Sequence, residues 1–441
     1  VRLARTTLAL ALLGAPVALA AAAPGCGGDT PPVKYPSADA GAGAAVTTDQ
    51  GAEVGISGPQ AHAEVSEDAK SAYEKGWKAW LAGDLATAKT AFEEASRKDT
   101  KAPAPQYSLG TVLERLGDNP GALLAYKAAV SRSADFEPAI GSYAMLLART
   151  GKVSDAEAYV QGYVNKKPDS PRLKVYLGEI KSLNKDSAGA QLLAQEALKI
   201  DPDFKDAMVL VARDHHRAGR ADLARYALTA ILDGFGEGSP PRDKDNAEAR
   251  LLRGILEKEA GHRLRAMQDF EVAQNKRPDL VEATIQLGVL KLESGNAMEA
   301  QPILERATKY APKSALAHLN LGDCYRILGR PTDAKKEFDI ALSLDSSLMQ
   351  AHYALGLLYL FTPSFPGMSA SDQLAAAKRE LSQYKTMRGP KPLPGVTDDI
   401  DELIGRVARK EAEMQMGSGG GATAPAASAP KPAAADGGKS K

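Results

Sequence analysis

The stretch VEATIQLGVLKLESGNAMEAQPILERATKYAPKS, Val281 to Ser314, can be laid over ALAHLNLGDCYRILGRPTDAKKEFDIALSLDSSL, Ala315 to Leu348, residue by residue. Leu287-Gly288, Gly295, Ala300, Leu304 and Ala307 of the first fall at the offsets of Leu321-Gly322, Gly329, Ala334, Phe338 and Ala341 of the second. Self-similarity at a fixed 34-residue period marks a repeat architecture, in which each unit is one supersecondary element stacked on the next.

Stepping outward by 34 places unit starts at Ala69, Pro103, Glu137, Pro171 and Lys205, then, after one insertion, at Ala247, Val281, Ala315 and Met349. A small residue stands mid-way along the first helix of every unit: Gly76, Gly110, Ala144, Gly178, Ala212, Gly254, Gly288, Gly322 and Gly356. The turn position holds Gly83, Gly117, Gly151, Gly219, Gly261, Gly295 and Gly329, with Lys185 the departure among the regular units. Alanine occupies the close-approach position of the second helix at Ala88, Ala122, Ala156, Ala190, Ala224, Ala266, Ala300 and Ala334. In period and Gly/Ala pattern the chain resembles the tetratricopeptide repeat (TPR). The resemblance implies an all-α fold: a TPR solenoid, a right-handed superhelix of stacked helix-turn-helix pairs with a concave groove as its working surface.

Packing explains the pattern. Helices of about a dozen residues, roughly 20 Å long at 1.5 Å per residue, cannot bury their apolar faces alone and must lean on neighbours. Small residues let helix axes approach, and Phe92, Tyr126, Phe270 and Phe338 fill the remaining space. Glycine suits the left-handed end of the first helix, and Pro168, Pro202, Pro278 and Pro312 stop the second.

The 441 residues carry no net formal charge, which argues against a general nucleic-acid binder. The aromatic content of 5% fits Ala-rich solenoid packing better than an enzyme core. Cys26 and Cys324 are far apart, and a disulfide framework is not indicated.

The N-terminus reads as an address. Val1 is taken as an alternative bacterial start codon, and Arg2 and Arg5 precede an apolar run from Leu8 to Ala23, so residues 1–25 are expected to be a signal peptide. Ala23-Pro24-Gly25-Cys26 is similar to the lipobox of bacterial lipoproteins, which implies lipidation of Cys26; that family carries Leu where this chain has Ala23. The competing reading is cleavage after Ala18-Leu19-Ala20, leaving a soluble periplasmic protein. Asp29 does not directly follow the cysteine, which favours the outer membrane.

Residues 26–65, rich in Gly, Ala, Pro, Ser and Asp, are expected to be a flexible linker. Five units fill 66–233, with Ser66 as first N-cap, followed by a turn-rich loop at 234–246 and four more units at 247–387, the last interrupted by Thr362-Pro363-Ser364-Phe365-Pro366-Gly367. A capping helix is expected over 397–416, with Ile400, Leu403, Ile404, Val407 and Met414 on one face, and a disordered tail over 417–441.

No catalytic motif emerges: no Walker loop, no His-Glu-x-x-His, no Gly-x-Ser-x-Gly and no Cys pair at metal spacing. No metal site, cofactor, small-molecule substrate or nucleic-acid partner is expected. His318 and His352 share one register position and are expected to pack between units, and Cys324 to be a buried small hydrophobe. By the resemblance, groove positions 2, 5, 6, 9, 12 and 13 of each unit include Tyr73, Trp77, Trp80, Tyr107, Arg115, Arg149, Arg213, His216, Arg217, Asn320, Asp323, Arg326 and Tyr353. Aromatic and Arg side chains are the usual anchors of interfaces. Arg213, His216 and Arg217 are either a solvated face or a site for an acidic peptide. The chaperone-binding carboxylate clamp is not expected, because Ile285 and Val289 stand where Lys and Asn are required.

The layout is similar to the TPR lipoproteins of Gram-negative envelopes, and the run from Gly356 to Met387 to the gliding-motility TPR lipoproteins of myxobacteria. The expectation is a non-enzymatic scaffold, a lipid-anchored or periplasmic adaptor that assembles other envelope proteins, with a part in gliding motility as its finest form. The alternatives are a regulator of a cell-wall enzyme and a soluble periplasmic peptide-binding adaptor.

Overall fold

The structure, a computed structural model, describes residues 63–390 and 399–419. The expected signal peptide, Cys26, nearly all of the linker and nearly all of the tail lie outside the described residues. The regular pairs are α1 (Glu67–Leu81) with α2 (Leu85–Lys98), α3 (Ala104–Arg115) with α4 (Asn119–Arg132), α5 (Glu137–Arg149) with α6 (Val153–Lys166) and α7 (Pro171–Leu183) with α8 (Ser187–Ile200). They continue as α9 (Lys205–Arg217) with α10 (Ala221–Leu232), α11 (Ala247–Glu259) with α12 (Arg263–Lys276), α13 (Val281–Glu293) with α14 (Ala297–Tyr310) and α15 (Ala315–Ile327) with α16 (Pro331–Leu344). The irregular ninth pair is α17 (Met349–Phe361) with α18 (Ala370–Arg388), and α19 (Ile400–Gly419) follows. From α5 to α17 each first helix begins on the residue that the 34-residue step predicts.

Each terminus has a local cause. Asp84, Asp118 and Asp186 cap α2, α4 and α8, their carboxylates accepting the N–H of Thr87, Gly121 and Gly189 at 3.0, 2.9 and 2.9 Å. Such a cap contributes about 1 kcal/mol. Ser66 precedes α1 as expected, yet its side chain makes no cap; its own N–H instead donates to Asp99 Oδ2 at 2.7 Å. Lys185, the departure at the glycine position, still takes the left-handed conformation at φ 64°, and Asp186 N closes the helix end on Lys181 O at 2.8 Å. The motif is so well fixed by its neighbours that a lysine is held in backbone space that costs an L-residue about 1–2 kcal/mol.

In six of the pairs a glycine of the first helix faces a large side chain of the second, whereas Gly178 meets Leu210 of the next unit. A Cβ on Gly110 would lie 2.5 Å from Tyr126 Cε1, and one on Gly322 would lie 2.6 Å from Phe338 Cε1. Tyr126 and Phe338 are fully buried, as are the eight close-approach alanines. The core runs on from pair to pair, and Val209, Leu228, Ile231, Leu252 and Leu256 form one cluster spanning the 234–246 insertion. An ion pair of Arg242 with Asp203 at 3.1 Å ties that insertion down, and one of Arg253 with Asp233 at 2.8 Å joins its two flanks. Ile400, Leu403 and Val407 of α19 are buried beside Leu374 and Leu381, with Ile404 and Met414 partly covered, so the last helix closes the end of the stack.

The array returns on itself. The Tyr310 hydroxyl at the end of α14 donates to Leu81 O at the end of α1, and Arg115 Nη2 donates to Asp279 O at 2.7 Å. The Lys313 stem packs at Gly117, its Cγ 3.1 Å from where a glycine Cβ would be. Units one and two thus form a seam with units six and seven, across 164 and 229 residues of sequence.

Candidate partner-binding groove

The expected groove residues sit where helix pairs meet, and most of them are engaged inside the array. Tyr73 is buried with its hydroxyl 2.9 Å from Ser108 Oγ, and Tyr107 is buried between Tyr126 and Phe136 at ring-centroid distances of 5.9 and 5.5 Å. Trp80 is buried beneath Arg115, whose guanidinium lies 5.9 Å from its ring centroid, while Trp77 is half-buried. The seam consumes this pair: Arg115 spends its reach on Asp279.

The charged positions form a ladder from unit to unit. Arg149 pairs with Glu114 of the preceding unit, and Arg213 with Glu179 of the unit before it. Arg217 reaches the same Glu179 at 3.1 Å and donates to Ser182 Oγ at 2.9 Å, and His216 Nε2 lies 2.9 Å from Glu259 of the next unit. Asn320 donates to Leu316 O at 2.8 Å within its own helix, buried Asp323 accepts from Arg326 Nε at 2.7 Å, and half-buried Tyr353 donates to Asp399 at 2.9 Å. Arg217 is the exposed member of the set, and Trp77, Arg149, Arg213, His216, Asn320 and Tyr353 are partly buried.

Electrostatics reinforces this internal pairing. Burial would raise the Asp279 carboxyl, but Arg277, which grips it at 3.2 and 2.9 Å, and then Arg115 outweigh that and hold it below its usual range. Asp214 follows the same rule: burial is outweighed by hydrogen bonds from Ser187, Gln191 and Ser182 at 2.6, 2.8 and 2.9 Å. The two register-matched histidines mainly join the two helices of their own unit, where packing between units was expected: His318 Nδ1 is 2.6 Å from Glu337 Oε2 and His352 Nδ1 is 2.8 Å from Glu380 Oε2. Only His318 also reaches the preceding unit, through Nε2 3.2 Å from Pro312 O. The reason is register: their position faces the second helix of the same pair.

Cys324 is fully buried, its thiol pushed up to about 12 by burial, so it carries almost no thiolate at neutral pH. Among the described residues no three His, Cys, Asp or Glu side chains converge as a metal site would require. No described helix is long and apolar enough to cross a membrane. Sequence reasoning missed the seam residues Asp279, Arg306 and Tyr310, which lie outside the first-helix positions.

Stacked 34-residue helix pairs with small-against-large packing are the tetratricopeptide-repeat fold, and this chain is an all-α solenoid of that type. The tetratricopeptide repeat family profile matches residues 73–138 and 285–348. Among solved structures, the APC/C hetero-tetramer Cut9–Hcn1 is similar over 80% of this chain and 79% of that one, at 14% identity and TM-score 0.50. Yeast Tom70 is similar over 82% and 72% at 15% identity and TM-score 0.48, and Pseudomonas aeruginosa PilF over 55% and 97% at 16% identity and TM-score 0.41. Identities this low speak for the fold alone. Comparison with curated proteins gives no match.

Proposed function

We propose that this chain is a non-enzymatic scaffold that holds partner proteins along its solenoid surface, and that it works in a bacterial envelope, tethered through Cys26. The observation that carries the scaffold reading is the unbroken stack of helix pairs from α1 to α18, an extended surface whose buried groups serve packing. TPR arrays in general mediate protein–protein interaction through such surfaces. The envelope placement rests on the sequence of residues 1–26, and gliding motility is the finest form of the proposal. Mass spectrometry of the mature N-terminus from the native host, with Cys26→Ser alongside, tests the tether: an acylated Cys26 supports it and an unmodified Ala21 terminus rules it out. In-cell crosslinking tests the scaffold: several co-captured envelope proteins support assembly, a single cell-wall enzyme favours regulation of that enzyme, and no captured protein removes the scaffold reading.

A further inference from the structure

Beside the seam lies an open cleft of about 510 Å³ between the end of α1 and α14, within the roughly 300–1,000 Å³ range of ligand sites. Leu81 and Ala82 form one wall, and Pro278, Pro302, Arg306 and Lys309 the other. Leu81 is 44% exposed there, apolar surface that the fold itself leaves uncovered. Arg306 and Lys309, one turn apart on the same face of α14, make no hydrogen bond or ion pair with a described residue, and the Arg306 Nε is buried. The groove arginines behave differently: Arg149, Arg213 and Arg217 are all neutralised by glutamates of neighbouring units. Glu305 also borders the cleft, but its carboxylate already accepts from Gln301 Nε2 at 2.8 Å and Tyr325 OH at 2.9 Å.

We propose that this cleft is a docking site for an acidic peptide segment of a partner protein, a carboxylate side chain resting between Arg306 and Lys309 and an apolar neighbour against Leu81, Pro278 and Pro302. Charge complementarity selects the occupant: Arg306, whose buried Nε has no partner, with Lys309 beside it facing only the field of Asp84, matches a carboxylate next to an aliphatic residue, and a guanidinium binds a carboxylate through charge-assisted, paired hydrogen bonds. A bound segment touches unit one and unit seven together and so strengthens the seam. The proposal rests on the scaffold reading and names the chemistry of its partner.

The test uses the full chain and a fluorescein-labelled peptide of alternating aspartate and leucine, followed by fluorescence anisotropy. The expected result is saturable binding that weakens about tenfold or more in Arg306→Gln and in Lys309→Gln, is lost when the aspartates are replaced by asparagine, and is unchanged in Arg263→Gln, whose partner Glu293 is elsewhere. Lys309 is exposed, so Lys309→Gln keeps the test intact if the Arg306 variant fails to fold. Equal affinity in wild type and both variants, absence of saturable binding, or displacement of the peptide by free succinate at equal molar potency would each overturn the proposal. Partners that crosslink alike to wild type and Lys309→Gln leave the scaffold standing and remove this site, whereas the absence of any crosslinked partner removes the scaffold.

Discussion

The interface inside each helix pair and the seam between distant pairs are made of opposite materials. Within a pair the contact is apolar and recurs: Gly110 under Tyr126, Gly322 under Phe338, alanine at every close approach. Across the seam the hydrogen bonds occur once each, a tyrosine on a backbone carbonyl and an arginine on another, with lysine stems over two turn glycines beside them. Apolar packing of that depth decides whether a unit folds, whereas a few hydrogen bonds worth about 1 kcal/mol each decide which of two arrangements a folded array holds. The first contact makes the solenoid, and the second sets its closure.

The comparison breaks most easily at its apolar side. Phe338→Ala removes a fully buried ring and is expected to cost about 3–5 kcal/mol, read as a lower urea midpoint. Hydrogen exchange should then show α15 to α18 opening while α3 to α6 stay protected, because a solenoid couples chiefly to nearest neighbours. Uniform loss of protection along the chain would mean that the seam transmits more than its contacts suggest. Arg115→Ala should be milder, about 1–3 kcal/mol, and local. It uncovers Trp80, so the signature is a red shift in tryptophan emission at unchanged helix content; no shift would mean that the seam does not close over Trp80.

Acid should act on the same side of the comparison. The Asp279 carboxyl is depressed below its unfolded value of 3.8, so its contribution is present above that pH and is lost as pH falls through the lower folded value. Trp80 emission is expected to shift below about pH 3.8 in the wild type, with that step missing in Asp279→Asn. The smallest effect concerns a turn inside a pair. Lys185→Gly relieves the left-handed lysine at some cost in unfolded-chain entropy, for a net gain of about 0.5–1 kcal/mol in the urea midpoint. A loss would mean that the Lys185 side chain contributes contacts outweighing its strained backbone.

These two kinds of contact also divide what the sequence reveals. The repeat, the helix starts from Glu137 to Met349, the interruption at 362–367 and the apolar face of the last helix were all legible, since each is dictated by residues close in sequence or by a fixed period. Groove membership was only partly so. Tyr73, Tyr107 and Asp323 occupy groove positions by register yet are covered by neighbouring side chains, which a single-unit template does not include. The partner of Arg213 was readable in principle, because Glu179 stands one period earlier at the same position, and a search for opposite charges in equivalent places of successive units would have found it. The seam left no trace in the register. It depends on small rotations summed over several units, and no residue in Leu81 or Tyr310 announces a neighbour 229 positions away.

That return of the chain on itself is the central claim, and one engineered bond tests it. A Cβ at Gly117 would lie 3.7 Å from Lys313 Cβ, within the roughly 3.5–4.5 Å spacing of disulfides. In a Cys26→Ser background, Gly117→Cys with Lys313→Cys is expected to form an intramolecular disulfide under mild oxidation, seen as faster migration on a non-reducing gel and absent from either single variant. A double variant that keeps its helical content and still stays reduced, or that links only between molecules, would contradict the seam.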